Sequence, residues 1–331
     1  MTDKPPGPPA DSPQAAAVQP LLEALRESLE LLREAGAAPS SPALERLGHG
    51  TLLQQCLAMC SEASGAEPEP IRTLHQFACS GGTLVSKCVA AMPNVQLLSE
   101  VDPLFPGPVA SGETPRFTPS DMPALLRAST RGASESLIAK VFQAELRIIH
   151  EHAMGSGLRL VLRDHAHTHY CRGQAVPSRP SLRELVREIA PVLSVVIVRH
   201  PADSFASLLN NGWVHFSPPD FETYCQRYNR FLDDHADLPV IRYEDLTEDA
   251  SATMQRLCAL LELPFLEEFA SLFSVFRISG DSGRSGRNIS LRPRRAEARE
   301  LLSGINGSPA YGLLASRLGY GTADVPSDGG A

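Results

Sequence analysis

The chain has 331 residues, of which 43% are hydrophobic, enough to form the core of one large α/β domain with an extension. It carries 30 basic and 38 acidic residues, a net charge of −8, which argues against general nucleic-acid binding because that function requires a basic face. Seven scattered cysteines without a CxxC pair argue against a disulfide framework or a structural zinc site, and indicate reduced thiols in a cytosol.

The N-terminal part of the chain differs in composition from the rest. Residues 1–19 are rich in Pro and Ala and lack the apolar core of a secretion signal, so we predict a disordered tail. Leucines recur at three- and four-residue spacing through residues 20–66, which predicts a helical extension that packs on the main domain or forms a homodimer. No apolar run reaches the ~20 residues of a membrane span. We therefore predict a cytoplasmic protein with its main domain in residues 70–320 and a flexible tail in residues 321–331.

The main domain opens with a strand, a turn of small residues and a helix. An apolar strand is predicted from Ile71 to Phe77 and a helix from Leu84 to Met92, joined by Cys79-Ser80-Gly81-Gly82-Thr83. Unpaired N–H groups at a helix start attract anions, and glycine lets the backbone approach them closely. The alternative is a glycine turn that only packs tightly. The Gly-Lys-Ser/Thr sequence of a Walker A loop is absent, which disfavours a nucleoside triphosphatase or a P-loop kinase.

A second strand is predicted at residues 94–98. Glu100 follows it and could hold a substrate hydroxyl, accept a proton, or be a solvated acid. Residues 103–132 are rich in Pro, Gly and Ser and predict a long loop. Ser134 then begins an amphipathic helix that runs to about Met154.

The third predicted strand, residues 158–162, ends in a group of charged and imidazole side chains. Arg163, Asp164 and His165 follow it directly, with His167 and His169 alternating beyond. His165 can act as a general base beside Arg163. If the segment is extended, the three histidines project to one side and could bind a metal. A third possibility is one functional histidine and two surface histidines.

The central strand is predicted at Val192–Val198, after a helix begun by a capping box at Ser181. It ends in Arg199, and Ser207 follows eight residues later. A guanidinium and a hydroxyl in this arrangement suit a terminal phosphate, unless Arg199 pairs with Asp203 instead.

Two further helices and a fifth strand complete the predicted sheet domain. Asp220 and Asp249 are predicted to cap the helices, and the strand lies between them at residues 240–243, followed by Glu244-Asp245-Leu246. Residues 278–295 concentrate arginines against an acidic background, which favours an anionic ligand. The last helices are predicted at residues 296–302 and 309–318.

Together these segments resemble the sulfotransferase family that uses 3′-phosphoadenosine 5′-phosphosulfate (PAPS), over residues 70–320. Five ordered motifs carry the resemblance: the 5′-phosphosulfate loop at residues 78–84, the basic-x-His strand end at residues 163–165, the 3′-phosphate pair Arg199 and Ser207, the YEDL turn at residues 243–246, and the Arg-x-Gly loop at residues 284–286.

The resemblance implies a P-loop NTPase-like α/β fold with a mainly parallel five-stranded sheet and flanking helices. It implies transfer of a sulfuryl group from PAPS to a hydroxyl or amine of a small-molecule or glycan acceptor, such as a carbohydrate, without a metal. His165 and Arg163 are then the catalytic residues. The implied donor-binding residues are Ser80, Gly81, Gly82, Thr83, Leu84, Arg199, Ser207, Tyr243, Arg284 and Gly286.

The chain departs from the family pattern at two positions. Cys79 stands where the family has a loop lysine, and we expect Arg163, rather than Lys87, to supply the missing cation. Leu84 stands where an aromatic side chain stacks on adenine, and Trp213 is the candidate replacement. Two alternative functions remain open: a catalytically silent nucleotide-binding scaffold of the same fold, and a metal hydrolase that uses His165 and its two neighbouring histidines.

Overall fold

The computed structural model describes residues 69–105, 121–127, 129–279, 288–290, 293–303 and 308–320. These residues belong to the second of the two units, Met1–Glu67 and Pro68–Ala331, into which the chain divides. The predictions for residues 1–19, 20–66 and 321–331 lie outside the described residues, as do Arg284 and Gly286 of the predicted late loop.

A parallel sheet of five strands forms the centre of the domain, and a pair of two-residue strands lies apart from it. In chain order the strands are β1 (Ile71–Gln76), β2 (Val95–Val101), β3 (Arg159–Asp164), β4 (Arg172–Gly173), β5 (Val192–Val198), β6 (His215–Phe216) and β7 (Val240–Arg242). The large sheet has the order β2-β3-β1-β5-β7, and β4 pairs with β6. The predicted five-stranded parallel sheet is therefore confirmed.

The strands of a parallel sheet are covered by helices on both faces, so their side chains are buried on both sides. Continuous apolar runs of the sequence therefore form these strands. Val195, Val196, Ile197 and Val198 of β5 are all fully buried. Strand β1 carries buried polar side chains that bond to its neighbours: Thr73 Oγ1 bonds Ser194 Oγ at 2.7 Å, and His75 Nδ1 donates to Asp164 Oδ2 at 2.8 Å. These bonds join neighbouring strands just below the edge where the strands end.

The helices follow the capping signals of the sequence. They are α1 (Gly82–Ala90), α2 (Met122–Arg127), α3 (Glu135–Gly155), α4 (Ala166–Tyr170), α5 (Leu182–Arg187), α6 (Pro201–Asn210), α7 (Phe221–Asp234), α8 (Tyr243–Glu248), α9 (Ala250–Leu260), α10 (Phe269–Leu272), α11 (Ala296–Ser303) and α12 (Pro309–Leu318), with a 3₁₀ turn at Phe273–Val275. The predicted caps Ser134, Ser181, Asp220 and Asp249 each accept a hydrogen bond from the first turn of their helix, which confirms them.

One local prediction was wrong, since the predicted long loop 103–132 contains α2. The YEDL segment that begins at Tyr243 forms the first turn of α8. The extended conformation on which the metal-binding alternative depended is not adopted, because His165 is the N-cap of α4, which carries His167 and His169. Short helices such as these depend on packing against neighbours more than on propensity, so local sequence does not reveal them.

An aromatic cluster on one side of the sheet holds two parts of the strand edge in place. Phe77 stacks on Tyr228 of α7 with 4.4 Å between ring centroids, and Tyr224 meets it edge-on at 5.1 Å. The Tyr224 hydroxyl donates to the carbonyl of Ala78 (3.2 Å), while the Tyr228 oxygen accepts the N–H of Arg199 (3.1 Å). Helix α7 thus anchors both the turn after β1 and the end of β5.

No helix within the described ranges is long and apolar enough to cross a bilayer.

Candidate active site

A cleft of about 1050 Å³ opens at the carboxyl ends of the parallel strands, where open α/β sheets bind ligands. Every described residue that the sequence assigned to the site lines this cleft. They are Ser80, Gly81, Gly82, Thr83, Leu84, Arg163, His165, Arg199, Ser207 and Tyr243.

Two glycines in the turn after β1 are required by their surroundings. Gly81 has a φ of +88°, and a Cβ there would lie 2.1 Å from Cδ2 of Tyr243. A Cβ on Gly82 would lie 1.2 Å from the side-chain oxygen of Gln76. The turn therefore forms a bare backbone surface at the start of α1, packed from below by Gln76 and from the side by Tyr243.

Two N–H groups of this turn already have acceptors within the protein. Ser80 donates its N–H to Phe77 O (3.2 Å), and Leu84 donates to Gly81 O (3.0 Å). Helix α1 itself provides no acceptor for the N–H groups of Gly82 and Thr83, its first two residues. The Ser80 hydroxyl donates to the carbonyl of Phe77 at 2.8 Å and so fixes the turn. Gly82 and Thr83 are therefore the residues of the turn that begin α1 and face the cleft.

Arg199 reaches from the end of β5 across to this turn. Its guanidinium lies 4.8 Å from the ring centroid of Tyr243, and Nη1 donates to Cys79 O at 3.4 Å. Arg199 does not pair with Asp203, which was the alternative that the sequence left open. The Asp203 carboxylate instead pairs with Arg294, at 3.0 Å. Ser207, on α6, is 2% exposed, and its hydroxyl has no hydrogen-bond partner among the described residues. A buried hydroxyl left unsatisfied in a cleft suits an incoming phosphate oxygen.

His165 and Arg163 are joined by the carboxylate of Glu100, which the sequence offered as a candidate without placing it between them. Glu100 accepts from His165 Nε2 through one oxygen (3.0 Å) and from Arg163 Nη2 through the other (2.8 Å). The same Arg163 nitrogen donates to Thr83 Oγ1 at 3.1 Å. One arginine therefore connects the anion loop to the histidine.

Glu100 is ionised in this arrangement. Burial raises the pKa of its carboxyl, but the hydrogen bond from His165 and the charge of Arg163 outweigh burial and leave the pKa below its usual value. Glu100 has a φ of +61°, within an irregularity in the pairing of β2 and β3 between Leu98 and Val101. This bulge turns the carboxylate toward the histidine. With Nε2 donating to Glu100, Nδ1 is the imidazole nitrogen left to accept a proton.

The three histidines of the hydrolase alternative do not converge. The rings of His165 and His167 are 6.2 Å apart, whereas His169 stacks on Tyr170 at 4.5 Å and its Nε2 bonds Pro177 O at 3.1 Å. Among the described residues, ligand atoms come close enough for a metal only at His75, Asp164 and His235, all buried. Both ring nitrogens of His75 there already have partners, in Asp164 and Thr73.

Cys79 has a left-handed backbone conformation, with φ +59°, and its side chain is half-buried in the cleft wall. Arg163 and Lys87, the two cations that the sequence offered in place of the loop lysine, both line the cleft. The contact of Arg199 with Cys79 O adds a third cation beside this position.

Five residues beside His165 form a surface that we call the acceptor wall: Phe105, His167, Arg172, Trp213 and His215. Trp213, the candidate for adenine stacking, meets His167 edge-on at 6.4 Å. The sequence did not single out Phe105, Arg172 or His215 as individual site residues. The arginine and the histidine are adjacent because β4 pairs with β6, and two-residue strands have no detectable period.

A family model described as "Sulfotransferase family" matches residues 77–268, more than half of the chain. The matched region contains the turn after β1, Arg163, His165, Arg199 and Tyr243. A comparison with curated proteins gives no match.

Solved sulfotransferase structures are similar to this chain at low identity. A sulfotransferase domain from the curacin biosynthetic pathway is 16% identical, covering 77% of this chain and 99% of that domain, with a TM-score of 0.45. One from the Synechococcus PCC 7002 olefin synthase is 17% identical, covering 73% and 96%, with a TM-score of 0.45. A sulfotransferase from Alicyclobacillus acidocaldarius is 15% identical, covering 78% and 99%, with a TM-score of 0.40.

Proposed function

Because the chain belongs to the sulfotransferase family, a family of PAPS-dependent transferases, we propose that it moves a sulfuryl group from PAPS to a hydroxyl of a small organic acceptor, with His165 as the general base. The observation that carries this proposal is the chain of contacts from Thr83 through Arg163 and Glu100 to His165. It joins a donor-binding loop to a base by way of a single cation.

The residues present fit the donor. The N–H groups of Gly82 and Thr83 would hold the 5′-phosphate, at a helix start where the dipole favours negative charge. Arg199 and the unsatisfied Ser207 hydroxyl would hold the 3′-phosphate. Tyr243 packs against Gly81 and under Arg199, so it would position both groups at once.

The reaction follows from these positions. The acceptor oxygen attacks sulfur in line and forms a new S–O bond, while the bond between sulfur and the 5′-phosphate oxygen breaks. The acceptor proton goes to His165 Nδ1, and adenosine 3′,5′-bisphosphate (PAP) leaves with the bond electrons. Glu100 keeps Nε2 protonated and stabilises the imidazolium that forms. Catalysis of this type depends on positioning and charge stabilisation, with no covalent intermediate.

The charge that the loop lysine would supply comes, in this proposal, from the two arginines beside the turn. Arg163 contacts Thr83 on one side, and Arg199 contacts Cys79 O on the other. Arg163 is partly neutralised by Glu100, whereas no carboxylate pairs with Arg199 in the part of the chain described. Cysteine at position 79 is also the one feature that favours the catalytically silent alternative, because a thiol provides no cation.

The deciding experiment incubates the purified protein with PAPS labelled in its sulfate and a heat-treated small-molecule extract. If the protein is an active sulfotransferase, the parent protein should give a labelled organic product and His165→Ala should give none. Calorimetry should show that both proteins bind PAP. PAP binding without product in any extract would establish the silent scaffold instead. Loss of PAP binding in His165→Ala would show that the histidine is structural.

A control for the extract is the Lys140→Ala variant. Lys140 lies on α3 and does not line the cleft, so its product yield should equal that of the parent. Any label incorporated by the boiled protein is subtracted as background.

A further inference from the structure

The acceptor wall has an unusual charge pattern. Four of its five members are uncharged rings or imidazoles, and Arg172 alone carries a permanent charge. Burial, followed by the charges of neighbouring His165 and His215, lowers the pKa of His167 to about 4, so its imidazole is neutral at pH 7. The wall is therefore a surface of aromatic and imidazole rings with one fixed cation.

Arg172 has donors to spare. Its guanidinium lies over the Phe105 ring at 5.4 Å, and it forms neither an ion pair nor a side-chain hydrogen bond with any described residue. A guanidinium has five N–H donors in a planar fork that matches a carboxylate. A half-buried cation without a partner, in the wall of a cleft, is suited to an anionic ligand.

The backbone beneath Arg172 is held rigidly. Arg227, itself 5% exposed, donates to Tyr170 O (2.8 Å), Arg172 O (3.2 Å) and Gly173 O (2.7 Å). Strand β4 also pairs with β6, with Arg172 opposite His215. A side chain on a clamped backbone loses less freedom on binding, so this position is preorganised.

Phe105 neighbours both the cation and the base. Its ring centroid is 6.2 Å from that of His165 and 5.4 Å from the guanidinium carbon of Arg172. An acceptor molecule that packs a flat face on Phe105 could present a hydroxyl to His165 at one end and an anionic group to Arg172 at the other. Trp213, 39% exposed, provides a second flat surface nearby.

We infer that the acceptor is an organic anion: a hydroxylated compound with a flat apolar face and a carboxylate or similar group that Arg172 binds. This inference rests on the proposed function, since it identifies the substrate class of the same cleft. It goes further by assigning Arg172 as a specificity-determining residue, distinct from the arginines that would bind the donor.

The test compares matched acids and amides in the PAP-loaded protein. The probes are 4-hydroxyphenylacetate against 4-hydroxyphenylacetamide, and glucuronate against glucuronamide, titrated by calorimetry. The acid of at least one pair should bind about tenfold more tightly than its amide, since a charge-assisted hydrogen bond has this effect. Added salt should reduce the ratio. Which pair shows the preference distinguishes an aromatic acceptor from a sugar acid.

Variants connect the preference to the residue. In Arg172→Gln the acid-to-amide ratio should fall to about one, and in Arg172→Lys it should be intermediate. Arg187→Gln is the matched control: this exposed arginine on α5 lies outside the cleft and should keep the parent ratio.

Two failures are distinguishable. A parent protein that does not bind PAP overturns the proposed function and this inference with it. A protein that binds PAP but shows no acid preference in either pair, or keeps its preference in Arg172→Gln, overturns this inference alone. If Arg172→Gln does not fold, the ratio of acid affinity to amide affinity in the parent protein still supports or overturns this inference.

Discussion

Replacing Gly81 by alanine tests the donor site most directly, because a single methyl group should disturb two predicted binding elements. At φ +88° an alanine costs about 1–2 kcal/mol from backbone strain alone. Its Cβ would also lie 2.1 Å from Cδ2 and 2.6 Å from Cε2 of Tyr243. Because carbon atoms in ordinary contact are about 3.5–4.0 Å apart, the tyrosine ring must move by roughly 1 Å or more.

The displaced ring carries Arg199 with it, because the guanidinium rests on the ring face at 4.8 Å. We therefore expect the dissociation constant for PAP to rise at least about tenfold in Gly81→Ala, equivalent to about 1.4 kcal/mol of binding free energy. Isothermal calorimetry measures this constant, and thermal unfolding monitors the stability of the variant.

Gly312→Ala is the matched control. Gly312 lies within α12, and a Cβ there would meet nothing within 4 Å. This variant should keep the parent affinity and gain about 0.5–1 kcal/mol of stability, because alanine is the better helix former. A double variant, Gly81→Ala with Tyr243→Ala, should lose less affinity than the two single changes add up to, since the clash is gone. A folded Gly81→Ala protein with parental PAP affinity would refute the predicted role of the turn.

Three further predictions concern the base, the donor and the core. In Glu100→Gln the transfer rate should fall about a hundredfold while PAP affinity changes little, because the amide no longer fixes the His165 tautomer; equal losses in rate and affinity would contradict this. Arg199→Ala should weaken PAP about tenfold or more by calorimetry, and ATP, which lacks a 3′-phosphate, much less. Burial lowers the pKa of His200 to about 3 and of His235 to about 4. Both stay neutral when folded and take up protons when unfolded below pH 6.5, so stability should fall as the pH drops from 6.5 toward 4, by roughly 2 kcal/mol each at pH 5. Urea unfolding checks this, and His200→Asn, which keeps a cap acceptor for α6, should remove about half of the loss.

The strands and most helices could be predicted from the sequence because their signals are local. A run such as Val192–Val198 is buried on both faces of a parallel sheet, and Ser181 with Glu184 forms the capping box that its spacing indicates. Arg163, His165 and Arg199 reached one cleft for a related reason, since residues that follow parallel strands gather at one edge of the sheet.

The remaining features depend on contacts between distant parts of the chain. Glu100 meets His165 only because a bulge in β2 gives it a left-handed backbone, and no residue pattern encodes that bulge. Arg172 lies beside His215 because two-residue strands pair, and its backbone carbonyl accepts a hydrogen bond from Arg227, which is distant in sequence. The sequence left the conformation of the histidine segment open, because three alternating histidines have no apolar period that would reveal α4.

The anchoring of the turn after β1 and the end of β5 by a single helix has a consequence for how this protein can diversify. Tyr224 and Tyr228 hold both segments of the proposed donor site against the aromatic core, so we expect changes to that site to disturb folding as well. The acceptor wall is carried largely by β4, β6 and the segments beside them, outside the central sheet. Under the proposed function, substitutions of peripheral residues such as Arg172 would therefore change the acceptor without disturbing the donor site or the core.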